Sequence, residues 1–249
     1  MYNSFATFYD KLTSNISYEK RALYFKKLIE KHFGKAELVL DLACGTGGLS
    51  IELDKLGYDV TAVDISPEML TIAMGKGSQT DKNILYLCQD MTKLDLYGTM
   101  DVAICALDSI NHITSKKSVA DAFKRLSLFI TDDGLFIFDV NTIYKHQNIL
   151  ANNTFVYDTD MVFCVWQNSI NEKDSSIVDI NLDFFEEDDG VYYRSQESIN
   201  ERAYSVEELE KWLNDALFDV VEIYDEDSFN PPKEDSQRLI FVAKRRKRD

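Results

Sequence analysis

The stretch Glu37-Leu-Val-Leu-Asp-Leu-Ala-Cys-Gly-Thr-Gly-Gly48 decides the fold. A short apolar run ends in a carboxylate, Asp41, and passes into a glycine-rich turn, Ala43–Gly48. Glycines there let the backbone bend sharply and approach a ligand closely. A helical pattern follows to about Leu56 and is closed by Gly57. The unit then repeats. Tyr58-Asp-Val-Thr-Ala-Val-Asp64 reads as a second strand with a carboxylate at its end, and Ser66-Pro67-Glu68 opens another helix. Serine is a favoured N-cap, proline suits the first helical position, and glutamate suits the positive helix start.

Upstream, segment 19–33 sets Ala22, Phe25, Leu28, Ile29 and Phe33 on one helical face, with Gly34 as the stop. Downstream, residues 83–88 and 100–107 read as strands, the first ending near Asp90. A helix is expected over 115–130, and Asp132-Asp133-Gly134 is expected to turn the chain into strand Leu135–Val140. Apolar strands alternating with amphipathic helices predict an α/β fold with a doubly wound, mostly parallel sheet.

The rhythm changes after about residue 143. Segments 153–170, 176–186 and 191–203 are strand-like without intervening helices, and Asp189-Gly190 is a hairpin turn. This predicts an antiparallel β meander over 144–203. Ser205-Val-Glu-Glu208 is then a capping box, and strands 218–225 and 236–243 return to the first pattern. The expected architecture is a seven-stranded, mostly parallel sheet built from 1–143 and 204–249, with the meander inserted.

The chain has 249 residues, 45% apolar and 12% aromatic, which suits a packed core. Lysine and arginine number 27 against 43 acidic residues, a net charge of −16. That balance disfavours nucleic acid and anionic membrane as partners, because both need a positive field. The excess is local: residues 144–243 hold 23 acidic side chains against 7 basic ones. Cys44, Cys88, Cys105 and Cys164 form no C-x-x-C pair and are read as thiols of a reducing cytoplasm. His32, His112 and His146 do not cluster with them in sequence, so no metal site is expected. The N-terminus lacks a signal-peptide pattern, and no stretch approaches 18 apolar residues.

In an open parallel sheet, ligands bind beyond the carboxyl ends of the strands. Those ends carry Asp41, Asp64, Asp90 and Asp108. A dinucleotide fingerprint would need glycine at position 50, where this chain has Ser50. A pyrophosphate at a helix start also has no need of a carboxylate such as Asp41. S-adenosylmethionine does: its ammonium suits an acid, its ribose diol suits Asp64, and its adenine amine suits Asp90.

With these residues in order, the resemblance is specific. Val39-Leu-Asp-Leu-Ala-Cys-Gly-Thr-Gly47 resembles the first motif of class I SAM-dependent methyltransferases. Asp64-Ile-Ser-Pro-Glu-Met69 resembles their second-strand motif, and Gln89-Asp90-Met91 their adenine-contacting loop. The likeness covers roughly residues 5–143 and resumes near 204. It implies S-adenosyl-L-methionine as cofactor and S-adenosyl-L-homocysteine as product. It implies that Asp41, Ala43, Gly45 and Gly47 hold the methionine part, with Cys44 and Thr46 in the same motif. Asp64 would bond the ribose and Ile65 pack on the adenine, with Met69 in the same motif. Asp90 would meet the adenine amine beside Gln89, Met91 would close over the ring, and Leu107 would lie near the sulfonium. Phe5-Ala-Thr-Phe-Tyr-Asp10 and Tyr18 resemble a small-molecule subgroup that includes amino-sugar N-methyltransferases. There Tyr9 and Tyr18 would fold over the cofactor carboxylate, and the meander would help build the substrate pocket.

A base is needed only if the acceptor must lose a proton. His112, with the intrinsic pKa of a general base, and Asp108 are the catalytic candidates. Asp139 and Asn141 are candidates for polar contacts with substrate. Tyr157, Trp166, Tyr192, Tyr193 and Tyr204 either line the pocket or form the meander's own core. An Asn-Pro-Pro-Tyr/Phe motif, the family mark of base or glutamine methylation, is absent after the fourth strand. The expected partner is therefore a small-molecule methyl acceptor, with an amine as the leading class. Two other readings are a SAM-binding protein without transfer and a nicotinamide-dependent oxidoreductase, against which Ser50 stands. If the acid of the meander faces the acceptor, salt screens that attraction. The acceptor's KM is then expected to rise with ionic strength while cofactor binding changes less, as a salt series of initial rates would show.

Overall fold

The computed structural model describes residues 6, 9, 10, 13, 16–78, 84–159 and 162–247. Phe5, Thr7 and Phe8 of the N-terminal resemblance lie outside these residues. The first half runs α1 (Tyr18–His32), β1 (Leu38–Leu42), α2 (Gly48–Lys55), β2 (Asp59–Asp64), α3 (Pro67–Gly77), β3 (Leu85–Cys88), β4 (Met100–Cys105), α4 (Lys116–Leu126) and β5 (Ile130–Asn141). A short α5 (Ile143–Lys145) and a π turn (His146–Leu150) lead to β6 (Thr154–Asp158), β7 (Val162–Ile170), β8 (Ile177–Asp188) and β9 (Val191–Arg202). The chain closes with α6 (Val206–Asp215), β10 (Phe218–Asp225) and β11 (Arg238–Arg245).

Seven strands form one sheet in the order β10-β11-β5-β4-β1-β2-β3. The pairs among β1 to β5 are parallel; β11 runs antiparallel to both β5 and β10. Both faces are covered, so the central strands are apolar at successive positions rather than alternating. In β5, Leu135 and Ile137 pack with Phe25, Leu28 and Leu53 of α1 and α2. Phe136 and Phe138 face the other way, toward Phe123 of α4 and Leu209 of α6. Phe138 stacks on Phe241 of β11 at 4.9 Å between ring centroids. The two faces therefore carry the doubly wound, mostly parallel α/β architecture that the alternating pattern predicts, as the Rossmann-like methyltransferase fold implied by the resemblance requires.

The second sheet is antiparallel, in the order β6-β7-β8-β9. One face buries Val178, Ile180, Leu182 and Phe184 of β8 against Val162 and Cys164 of β7. On β8, Asp179 and Asp183 alternate with these buried residues; they bond to Asn200, Arg194 and Gln196 of β9. These two carboxylates are thus matched within their own sheet.

Three local expectations change. Segment 153–170 is two strands, because Thr159 takes up the Val162 backbone in a tight return. The helix after Ser115 ends at Leu126 rather than 130. Asp132-Asp133-Gly134 is no turn between elements but a bulge inside β5: Asp133 has φ 64°, and the β4–β5 register shifts there. A Cβ on Gly134 would sit 2.8 Å from the Asp101 carbonyl oxygen, so the bulge needs glycine. Among the described residues, no helix is long and apolar enough to cross a membrane, and the four cysteines are free.

Two buried residues join the elements around the strand ends. Asp139 of β5 has no exposed surface and accepts from the backbone N–H groups of Leu107 and Asp108 at 2.9 and 2.5 Å. It also accepts from Arg21 of α1 at 2.7 Å and Arg238 of β11 at 2.5 Å. Asn111 donates to the carbonyls of Asn141 and Arg202 and accepts from the Asn141 N–H, tying β5 and the end of β9 to the turn after β4. Removing one partner of a buried ion pair leaves uncompensated charge, at a cost of about 3–5 kcal/mol. Asp139→Ala is expected to destabilise the fold by about that much in urea unfolding; a loss below ~1 kcal/mol would show that the turn after β4 is held by other contacts.

Candidate functional site

The carboxyl ends of β1, β2 and β4 meet at a cavity of about 460 Å³. Its lining includes Tyr9, Ala43, Gly45, Asp64, Ile65 and Met69. From the other side come Gln89, Asp90, Met91, Leu107 and His112. Ile199 of β9 also lines it, so the second sheet reaches this space. A smaller cavity of about 30 Å³ adjoins, lined by Tyr9, Tyr18, Asp41, Ala43, Cys44 and Leu107.

The loop after β1 takes its shape from Ala43, Gly45 and Gly47, all in the left-handed region, at φ 62°, 54° and 75°. Gly47 is the N-cap of α2. A Cβ there would fall 2.9 Å from the Ala73 side chain, so α3 packs directly on the loop. Gly48 leaves room for the Tyr18 ring, which a Cβ would meet at 2.7 Å. Thr46 is buried and donates to Asp10 at 2.5 Å. Of the predicted cofactor residues, Thr46 and Gly47 thus shape the loop and line neither cavity.

Asp64 binds the two loops together. Its Oδ2 accepts from the Gly45 N–H and its Oδ1 from the Ser66 N–H, both at 2.8 Å. Burial raises its pKa, and the N–H groups of Ser66, Gly45 and Ile65 oppose that rise. Asp41 is 2% exposed, and its carboxylate accepts from the Ser50 hydroxyl at 2.5 Å. Burial pushes its carboxyl up to about 7; the Ser50 bond lowers it and the Asp64 charge raises it further. Among the described residues no cation pairs with this buried carboxylate, which is the environment a ligand ammonium would complete. The residue that replaces a dinucleotide glycine, Ser50, is its partner.

Gln89 spends its amide on the loop itself, donating to the Asp95 carbonyl and accepting from the Asp95 N–H. Asp90 caps the turn Met91–Lys93, with Oδ1 accepting from the Thr92 backbone and hydroxyl at 2.8 Å. Ile65 is 60% exposed at the cavity edge. Tyr9 and Tyr18 are half-buried, and desolvation raises both phenol pKa values.

Beyond β4, Leu107 and Asp108 are both left-handed, at φ 59° and 52°. That conformation costs a non-glycine residue roughly 1–2 kcal/mol, and the two N–H bonds to Asp139 offset it. Asp108 pairs with Arg238 at 2.5 Å and does not line the cavity. His112 does, and its Nε2 lies 3.8 Å from Oε1 of Glu201, at the end of β9. Glu201 is 3% exposed. Burial alone would raise its pKa, but His146, His112 and the Asn141 amide outweigh that and hold it at about 2. Asp139 and Asn141 are committed to holding the turn and the junction. None of Tyr157, Trp166, Tyr192, Tyr193 and Tyr204 lines the cavity. Tyr157 and Trp166 pack on the second sheet's core, Tyr204 packs on Trp212 of α6, and Tyr192 and Tyr193 are exposed. The sequence reading gives no site role to Ser50, Ile199 or Glu201; Ser50 shows there only as a departure from the dinucleotide glycine, and Glu201 only as an acid in register with the alternating pattern of the meander.

Residues 39–134 match the methyltransferase domain family. The protein GWCH70_2453 of Geobacillus sp. (strain WCH70), named as a methyltransferase, is 32% identical over 98% of this chain and 99% of its own. The crystal structure of a S-adenosylmethionine-dependent methyltransferase from Clostridium acetobutylicum ATCC 824 superposes with a TM-score of 0.89 at 32% identity, covering 99% of each chain. SAM-bound CalS10, an amino pentose methyltransferase from Micromonospora echinaspora, shares the fold at a TM-score of 0.74 and 15% identity, over 92% of each chain. The chain belongs to the class I SAM-dependent methyltransferases. Its cofactor is S-adenosyl-L-methionine.

An ammonium placed against Asp41 favours the charged carboxylate, so cofactor binding there releases a proton at neutral pH. Affinity is then expected to rise with pH up to about 7 and flatten above it, by up to about tenfold per pH unit. Asp41→Asn should abolish the slope; calorimetric titrations in buffers of different ionisation enthalpy check both. The sign for stability is opposite. The folded-state pKa lies above the unfolded value, so Asp41's contribution favours folding below it and is lost as pH rises from about 4 toward 7.

Proposed function

We propose that this chain transfers the methyl group of S-adenosylmethionine to a small-molecule acceptor that carries an amine, in the cytoplasm. The observation that carries this reading is Ile199: a residue of the second sheet lines the same cavity as Asp64. The space under that sheet has the scale of a small-molecule site, not of a macromolecular groove. On this reading, residues 144–203 form an inserted acceptor-facing unit, and 1–143 with 204–249 form the cofactor unit. The net charge of −16 supports an acceptor that is neither nucleic acid nor membrane. The likeness to an amino pentose methyltransferase supports an amine.

The cofactor, when bound, supplies an electrophilic methyl on a sulfonium, so the protein's task is to position and desolvate. Asp41 would pair with its ammonium and Asp64 with its ribose hydroxyls through the lone pairs that Gly45 and Ser66 leave free. Ile65, Met69 and Met91 would pack on the adenine, with Asp90 near its amine. Tyr9, Tyr18, Ala43, Cys44, Gly45 and Leu107 would enclose the methionine end. His112, open to the cavity, would take a proton from the acceptor, and the Asp108–Arg238 pair would hold the turn that carries it.

A ligand at ~100 times its Kd adds roughly 2.7 kcal/mol of stability. In a thermal-shift comparison, S-adenosylmethionine and S-adenosylhomocysteine are expected to raise the Tm and NAD to leave it unchanged. Asp64→Ala is expected to weaken S-adenosylhomocysteine binding by roughly 1–3 kcal/mol through lost hydrogen bonds. Unchanged affinity in that variant would remove Asp64 from the site.

A further inference from the structure

The cofactor reading leaves Asp10 without a role. This residue follows Tyr9, which lines both the large cavity and the small one beside Asp41. Tyr9 therefore stands at the joint between the space that suits an adenosyl group and the buried carboxylate that suits an ammonium. Its ring covers the glycine loop: a Cβ on Gly45 would meet the ring edge at 3.9 Å. The phenols of Tyr9 and Tyr18 are hydrogen-bonded to each other, which fixes the far end of the ring.

Asp10 itself lines neither cavity. Its two carboxylate oxygens serve separate elements. Oδ1 accepts from the Thr46 hydroxyl of the glycine loop at 2.5 Å, and Oδ2 accepts from the Lys76 ammonium of α3 at 2.7 Å. The Tyr9 carbonyl in turn accepts from the Thr13 N–H at 2.9 Å and the Thr13 hydroxyl at 2.7 Å. The main chain is thus held at the Tyr9 carbonyl and again at the next side chain.

The two partners of Asp10 differ in weight. The side chains of Lys76 and Asp10 are 33% and 42% exposed, and a surface ion pair of that kind contributes little. Thr46 is 1% exposed. A hydroxyl donating to a carboxylate makes one of the stronger hydrogen bonds, and without its acceptor this buried hydroxyl would be left unsatisfied. The Thr46 bond is therefore the constraint that ties Asp10, and with it Tyr9, to the glycine loop. It also accounts for Thr46, which belongs to the cofactor motif yet lines neither cavity.

We propose that Asp10 is a positioning residue: through the Thr46 hydroxyl it holds Tyr9 over the methionine end of the cofactor. This role deepens the site assignment given above and rests on it for placing the methionine end at Asp41. The nucleoside end is assigned to Asp64, Ile65 and Met91, which belong to the loops after β2 and β3. Asp10 therefore sets affinity for the amino-acid half of the cofactor and not for the nucleoside half. A wall held in place before the ligand arrives spares the cost of ordering it on binding.

The test needs no acceptor and no turnover. Two probes are titrated calorimetrically: S-adenosylhomocysteine, which carries the amino-acid end, and 5′-methylthioadenosine, which lacks it and keeps the nucleoside and the sulfur. In Asp10→Ala the ratio of their Kd values, S-adenosylhomocysteine over 5′-methylthioadenosine, is expected to rise by about fivefold or more. Thr46→Val, which removes the hydroxyl and keeps the shape, is expected to raise it equally. The two residues act as one unit, so the double variant should stay within about twofold of Asp10→Ala. A smaller rise in the single variants, as when both probes weaken together, overturns the proposal, and so does a further, additive loss in the double variant. If Asp10→Ala does not fold, the ratio in Thr46→Val decides alone. Asp41→Asn separates this role from the site assignment beneath it. A ratio unchanged in Asp41→Asn overturns both; a ratio that moves there but not in Asp10→Ala overturns the role of Asp10 alone.

Discussion

A single buried carboxylate organises the strand ends. Asp139 collects two backbone N–H groups and two guanidinium groups, so every donor around it is fixed by the same four-way contact. Without an acceptor at that point, Leu107 and Asp108 would relax from their left-handed conformation, and the turn bearing His112 would lose its direction. Arg21 and Arg238 would become buried charges without a full partner. Because α1 and β11 supply those arginines, the position of the first helix and the order of the last strands both depend on a residue in β5. Burial of Arg238 works against its charge, yet Asp139 and Asp108 keep the guanidinium protonated.

The two carboxylates of the cofactor side are held in opposite ways. Asp64 is anchored by backbone donors from both flanking loops, so its direction is set before any ligand arrives. Asp41 has the Ser50 hydroxyl as partner and, among the described residues, no compensating cation. The first defines geometry and the second retains unsatisfied electrostatic demand. A pocket built this way is rigid where a diol must be matched and responsive where a charge must be met.

The local parts of this arrangement were readable from the chain, because they depend on neighbours in sequence. Strand, carboxylate, glycine turn and N-cap lie within a few residues of one another around Asp41 and Asp64. The junction was not readable, because its partners are far apart: Asp139 with Arg238, Asn111 with Arg202, His112 with Glu201. Ser50 could be read only as a departure from a glycine pattern, and its bond to Asp41 needed the turn of α2 to bring the two together. Alternation in the meander marked its buried face correctly, but periodicity could not say which domain surface that face would meet. The aromatic residues of the meander were ambiguous for the same reason, and most fill its own core or remain exposed. The Asp132-Asp133-Gly134 bulge has turn composition, and only pairing on both sides of β5 turns it into part of a strand.

Asn111 bonds to Asn141, where the seven-stranded sheet is left, and to Arg202, where β9 ends. The intervening sixty or so residues are therefore a loop whose two feet rest on one amide. Closing a loop of that length costs on the order of 3–4 kcal/mol, and doubling it adds only about 0.6. With its feet pinned, the second sheet can lengthen, shorten or exchange strands at little thermodynamic expense to the strands beneath. Variation in what the roof recognises is thereby decoupled from retention of the floor, which is the physical condition for one cofactor scaffold to serve many acceptors.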